Sequence, residues 1–241
     1  MKKFGLIGGT SWHSTVEYYA TINRLVNAKH GDNTNPPLRI ASLNQKAIHN
    51  LQRSGDWGAI AGILVEAALE LQAIGVEGIA LCANTPHKVF DRLQGALAVP
   101  VLHIADAIGA ELAQRGWDTV GLVGTRFTMA EDFITGPLRD RHRVQTLVPP
   151  PPVQGEIQKI IYDQLSVGQF DDAARDYFLG VIDALSSQGA QAVILGCTEI
   201  PLLLEGVQCS LPPVDSLDCH CQAIVRYILD EAHPGPGADG L

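Results

Sequence analysis

Gly5-Leu6-Ile7-Gly8-Gly9, close to the start of the chain, is echoed by Gly121-Leu122-Val123-Gly124-Thr125 at an offset of 116. Alone, either stretch is only a short apolar strand running into a tight glycine turn. A second match follows in the same order: residues 71–83 (LQAIGVEGIALCA) align with residues 185–197 (LSSQGAQAVILGC) at an offset of 114. Two matches at nearly one offset read as duplicated halves.

Between and around these anchors, short apolar runs alternate with helix-length stretches, the pattern of an α/β protein with parallel sheets. Strands are predicted at about 3–7, 39–43, 77–82, 100–103, 119–123, 143–147 and 191–195. Helices are predicted at about 14–28, 56–74, 86–94, 105–115, 129–139, 154–166, 171–188 and 217–231, with a frayed tail at HPGPGADGL. The expected architecture is two pseudo-symmetric α/β domains, each a mostly parallel sheet flanked by helices, with the active site in the cleft between them. The first domain takes residues 1–103 plus 214–241, its C-terminal helix packing back, and the second takes 104–213.

With 241 residues and 46% apolar composition, the chain has material for a sizeable core. A net charge of −9 without a Lys/Arg cluster argues against a nucleic-acid partner. No apolar run reaches the roughly 18–20 residues of a membrane helix, and MKKFGLIGG is too short an apolar stretch for a signal peptide, so no membrane partner and a cytoplasmic location are expected. The five cysteines, at 82, 197, 209, 219 and 221, are odd in number and lack framework spacing, which suits a reducing compartment. Cys219-His220-Cys221 bunches three metal-ligand types, but adjacent residues do not readily surround one ion and no second pair completes the set. They read as ordinary helix residues, and no metal is expected.

Open parallel sheets bind ligands beyond the carboxyl ends of their strands. Gly8-Gly9-Thr10-Ser11 and Gly124-Thr125-Arg126-Phe127-Thr128 each end a strand and precede a helix, where glycine admits close approach and N–H groups and hydroxyls favour a carboxylate or phosphate. GLIGG is not GxGxxG, so a dinucleotide is disfavoured. N-capping by Ser14 and Thr128 is an equally good reading of the hydroxyls.

At the offset of 114, Cys197 corresponds to Ala83, and Cys82 to Gly196. Neighbouring strand positions point to opposite faces, so Cys82 and Cys197 do not serve equivalent sites. Cys82 reads as a small buried thiol. Cys197, at a strand end beside Thr198 and Glu199, reads as functional, and helix-start N–H groups aimed at it would lower its pKa from about 8.5. A nucleophilic cysteine would want a histidine, but spacing singles out none of His13, His87, His103 and His220.

Taken together, GLIGGTSWHST, LQRSGDW, the CANT region, HIADA, LVGTRFTM, IIYDQLSVGQF and GCTEI resemble the aspartate/glutamate racemase family over nearly the whole chain. The resemblance implies two pseudo-symmetric domains, no cofactor, commonly a homodimer, a small dicarboxylic amino-acid substrate, and a pair of cysteines on opposite faces of the substrate Cα. One thiolate removes the α-proton and the other thiol returns one. The family's first cysteine immediately precedes Asn-Thr; here Ala83 holds that position, chemically empty, and only Cys197 carries over. The resemblance implies substrate contacts for Asn84, Thr85, Thr125, Thr128 and Thr198, and Thr10, Ser11 and Glu199 join them as site candidates. Arg53 in LQRSGDW matches an arginine that reaches a distal carboxylate, with an exposed loop arginine as the alternative reading. Three functions stay open: a racemase with an atypical one-thiol site, a one-cysteine malonate-type decarboxylase, and a dicarboxylate-binding member without turnover.

Overall fold

A computed structural model describes residues 1–231; the predicted frayed tail lies outside the described residues. The chain divides into two compact units, Met1–His103 with His220–Leu241, and Ile104–Cys219.

The first unit carries a four-stranded parallel sheet in the order β2-β1-β3-β4, made of β1 (Phe4–Gly8), β2 (Leu38–Ser42), β3 (Gly78–Leu81) and β4 (Val101–Leu102). Strands β1 and β3 are buried at every residue, as continuous apolar runs covered on both faces must be, whereas the edge strand β2 is half exposed. The first unit's helices are α1 (Trp12–His30), α2 (Gln45–Ser54), α3 (Trp57–Ala73) and α4 (Phe90–Gly95), with a 3-10 turn at Thr85–Val89 before α4. Side-chain caps start three of them: Ser11 for α1, Asn44 for α2 and Asp56 for α3.

The second unit repeats this plan. After α5 (Ile104–Arg115), its sheet runs β6-β5-β7-β8, all parallel, from β5 (Thr119–Gly124), β6 (Gln145–Leu147), β7 (Ala192–Gly196) and β8 (Pro213–Asp215). Its helices are α6 (Arg126–Ala130), α7 (Asp132–His142), α8 (Pro151–Asp163), α9 (Asp172–Ser187) and α10 (Ile200–Leu203), and α11 (Ser216–Ile228) begins there. The break between the units falls inside α11, because Pro213–Asp215 pairs with β7 and keeps the residues that follow it with the second sheet.

The two sheets therefore share one order, with the first strand of each unit in the middle and the chain crossing to its other side at the third. This reversal leaves a crevice at the carboxyl ends of β1 and β3, and another at those of β5 and β7. Three elements had no sequence prediction: α2, the four-residue α10 and the three-residue β8. The prediction at 129–139 merges α6 and α7, which break at Glu131.

Candidate functional site

In the first unit, Gly9 turns the chain out of β1 with φ of +76°, and a Cβ there would collide with the backbone of Leu43. Thr15 secures the turn: its hydroxyl accepts from the Gly9 N–H at 2.8 Å and donates to the Ser11 carbonyl at 3.0 Å. Thr10 is left buried, 7% exposed, with no hydrogen-bond partner for its hydroxyl. A desolvated hydroxyl is costly until something supplies that bond, so a ligand that reached it would gain by doing so. Ser11 caps α1 by accepting from the Ser14 N–H at 3.4 Å. Ser14 is thus the capped residue and not the cap, which corrects the sequence reading.

Beside this turn, β3 delivers Cys82, Ala83, Asn84 and Thr85. The Cys82 N–H donates to the Ile7 carbonyl at 2.9 Å, so the ends of β1 and β3 lie side by side. Cys82 is 1% exposed, and burial alone pushes its thiol far above the ordinary range. Ile79 and Leu81 pack with the α3 and α4 cluster, to which Ala80 and Cys82 do not belong, in keeping with alternation along a strand. Ala83 is partly exposed and Asn84 buried. Arg53 occupies the exposed last turn of α2, so it is a helix residue and not a loop one.

In the second unit, the last residues of β5 and β7, Gly124 and Gly196, face each other so closely that a Cβ on Gly124 would strike the Gly196 backbone. A Cβ on Gly196 would in turn meet the Thr128 side chain at 3.0 Å, so Thr128 packs against the residue that precedes Cys197. Thr125 caps α6 by accepting from the Thr128 N–H at 3.4 Å, and the two hydroxyls lie 3.0 Å apart with Thr128 fully buried. Capping thus falls to Thr125 and not to Thr128, the reverse of the sequence reading.

Cys197 packs against the same cluster as Val193 and Leu195, on the alternate parity from Gly196. Its thiol donates to Glu199 Oε2 at 2.9 Å, and the Thr198 hydroxyl donates to the same oxygen at 2.8 Å. Burial first, then the adjacent Glu199 carboxylate and its hydrogen bond, hold this thiol well above the ordinary range, against the smaller opposing pull of the Glu199 and Thr198 N–H groups. The N–H groups of Thr198 and Glu199 do pull the thiol down, as read from the sequence, but burial and the carboxylate beside the sulfur outweigh them. This environment favours the thiol form, hydrogen-bonded to the carboxylate.

Three of the candidate histidines converge in the first unit. His87, His103 and His220 have ring centroids 4.8 Å (His87–His103) and 5.8 Å (His87–His220) apart. His220 donates from Nε2 to the Leu102 carbonyl at 3.0 Å and so accepts at Nδ1 from the Tyr18 hydroxyl at 2.9 Å. These contacts fix it as a neutral helix residue between buried cysteines, and the described residues contain no cluster able to hold a metal ion. His13 stacks on Trp12 instead.

Two parallel sheets of one topology, with small hydroxyl residues at each switch point and a thiol–carboxylate pair at the second, define the chain as a duplicated α/β protein with polar groups gathered at its strand ends. The family model for Asp/Glu/Hydantoin racemase matches residues 7–224, and the chain belongs to this family. It is similar to a Yersinia pestis protein whose crystal structure is described provisionally as an Asp/Glu racemase, at 40% identity over 95% of this chain and 100% of that one, with a TM-score of 0.89. An aspartate racemase homologue from Pyrococcus horikoshii is 34% identical over 95% and 100% of the two chains, with a TM-score of 0.82. The broad specificity amino-acid racemase RacX of Bacillus subtilis is 27% identical over 69% of this chain and 71% of its own.

Proposed function

We propose that the protein is a racemase of aspartate or glutamate that works without a cofactor and uses one thiol, Cys197, as its acid–base group at Cα. The observation that carries this reading is the Cys197–Glu199 contact at 2.9 Å together with alanine at the equivalent position 83. For abstraction, the thiol proton passes to Glu199 Oε2, and the thiolate takes the Cα proton, leaving the C–H electron pair as an enediolate on the substrate carboxylate. For return, the thiol delivers its proton to Cα and Glu199 restores the thiol. The enediolate charge needs fixed donors. Thr10, Ser11, Asn84, Thr85, Thr125, Thr128 and Thr198 are the hydroxyl and amide groups we assign to substrate, and Arg53 is assigned to the distal carboxylate. With methyl at position 83, proton exchange outruns inversion. A cytoplasmic homodimer is part of the same reading, and the five free cysteines fit a reducing compartment.

The test is α-proton exchange in heavy water with each enantiomer of aspartate and glutamate. Cys197-dependent exchange of one enantiomer, faster than its inversion, is expected; equally fast exchange and inversion of both enantiomers would refute the one-thiol mechanism.

The protonated resting state of Cys197 favours one further reading. A malonate-type decarboxylase needs only a proton donor: the C–CO₂ bond breaks, its electron pair forms the enediolate, and the thiol protonates the carbon. CO₂ release from substituted malonates, with no exchange on amino acids, would select it. Binding of aspartate without any exchange would instead select a member that holds dicarboxylates without turnover.

A further inference from the structure

His87 is the buried group that neither the fold nor the proposed chemistry accounts for. Its ring is 1% exposed, stacks parallel to Phe90 at 6.3 Å between centroids, and lies against His103 and His220. Its Nδ1 lies 3.0 Å from the Ala83 carbonyl and 3.1 Å from the Asn84 carbonyl. Carbonyls only accept, so Nδ1 carries the proton and shares it between them. The His87 N–H also donates to the Asn84 carbonyl at 3.0 Å.

This double grip has a directional consequence. A trans peptide is planar, with its N–H antiparallel to its C=O. Turning the carbonyls of residues 83 and 84 toward the imidazole therefore turns the N–H groups of Asn84 and Thr85 away from it. Asn84 itself is helical, with φ −72° and ψ −51°, and its side chain makes no cap hydrogen bond to the turn it starts. The imidazole four residues downstream thus bears directly on the orientation of the peptides at 83–84 and 84–85.

We infer that His87 is a positioning residue: by holding the Ala83 and Asn84 carbonyls, it aims the N–H groups and side chains of Asn84 and Thr85 at a carboxylate of the substrate. The inference rests on the amino-acid racemase reading above. His87 does not exchange protons with substrate, since its ring is enclosed and its Nδ1–H is committed to backbone.

The experiment compares His87→Asn, whose amide nitrogen can occupy the place of Nδ1, with His87→Leu, which fills the space and donates nothing. Melting temperature, KM and kcat for aspartate and glutamate, and the alkylation rate of Cys197 by iodoacetamide are measured for each. Losing the aim of a charge-assisted donor pair raises KM by about 10- to 100-fold in His87→Leu. His87→Asn is expected within about threefold of wild type, and Cys197 alkylation is unchanged in both. If His87→Leu does not fold, His87→Gln, which moves the amide off the Nδ1 place, is read in its stead with the same expectation. A folded donor-less variant with unchanged KM overturns the inference, and so does a folded His87→Asn as impaired as the donor-less variant. Wild-type protein that neither binds nor turns over aspartate or glutamate overturns the racemase reading itself, and this inference with it. Normal wild-type turnover with unmoved variants overturns only the inference.

Discussion

Replacing Ala83 by cysteine is expected to convert a one-sided site into a two-sided one. Position 83 corresponds to Cys197 at the repeat offset and is partly exposed, so one added sulfur meets no closed core and folding stability should change by less than about 0.5 kcal/mol. The electrostatics of the two positions differ in a useful way. The offset that equates Ala83 with Cys197 equates Thr85 with Glu199, so a thiol at 83 has no carboxylate two residues along to hold it protonated. It would titrate nearer the ordinary value of about 8.5, while Cys197 stays a thiol under burial and Glu199. One group is then set to take a proton and the other to give one. A positioned acid or base contributes about 10²–10⁴-fold, which at about 1.36 kcal/mol per decade is roughly 3–5 kcal/mol of barrier. The assay follows inversion of L- and D-aspartate and L- and D-glutamate by circular dichroism, with exchange in heavy water read in parallel by proton NMR. Ala83→Cys should raise inversion by about 10²–10⁴-fold, bring it level with exchange, and make the rate climb with pH toward about 8.5. Ala83→Ser should not. A folded Ala83→Cys protein whose inversion stays within about threefold of wild type would refute the reasoning, since the missing partner would then not be what limits the reaction.

Glu199→Gln removes the charge that helps hold the Cys197 thiol up; alkylation by iodoacetamide at pH 8 should quicken by about tenfold while turnover falls, and slower or unchanged alkylation would contradict the assigned pair. Cys82→Ala should cost about 1 kcal/mol in urea unfolding and leave turnover within about twofold, because its thiol is only packing; a large loss of turnover in the folded variant would restore it to the site. His220 is held down to about 3 by burial, then by repulsion from His87, with its bond to the Leu102 carbonyl pulling the other way. Its folded value lies below the unfolded value of about 6.5, so its contribution is fully present above that pH and drains away toward 3, reaching about 2 kcal/mol lost by pH 5. Urea midpoints of wild type and His220→Gln between pH 7 and 4.5 measure this, and identical pH slopes would exclude it.

The sequence spelled out the strands that its apolar runs made continuous. β1, β3, β5 and β7 are buried on both faces, and that burial demands runs legible without any partner. β8 was invisible because Pro213–Asp215 is an edge strand of three residues, one of them proline, whose pairing with β7 and not its composition makes it a strand. α2 was missed because QKAIHNLQRS is short and polar; a cap at Asn44, a left-handed Gly55 and a single buried stripe through Ile48 and Gln52 define it only once the fold is in place. In the site, the repeat offset alone separated Cys82 from Cys197, because strand parity is a local rule. The capping roles of Ser11 and Thr125 went to Ser14 and Thr128 by a shift within one turn, the scale at which sequence signals for helix starts blur.

What the amino-acid order determined by itself was the duplicated α/β plan, the family, and the asymmetry of alanine against cysteine at matched positions, since each is a matter of periodicity and register along the chain. What the tertiary structure alone decided was the state of the groups: the protonated Cys197 beside Glu199, the unpartnered Thr10 hydroxyl, and the imidazole of His87 gripping two carbonyls. Protonation and orientation depend on burial and on neighbours a few ångströms away. Those are quantities of space, which a linear order of residues specifies only by folding.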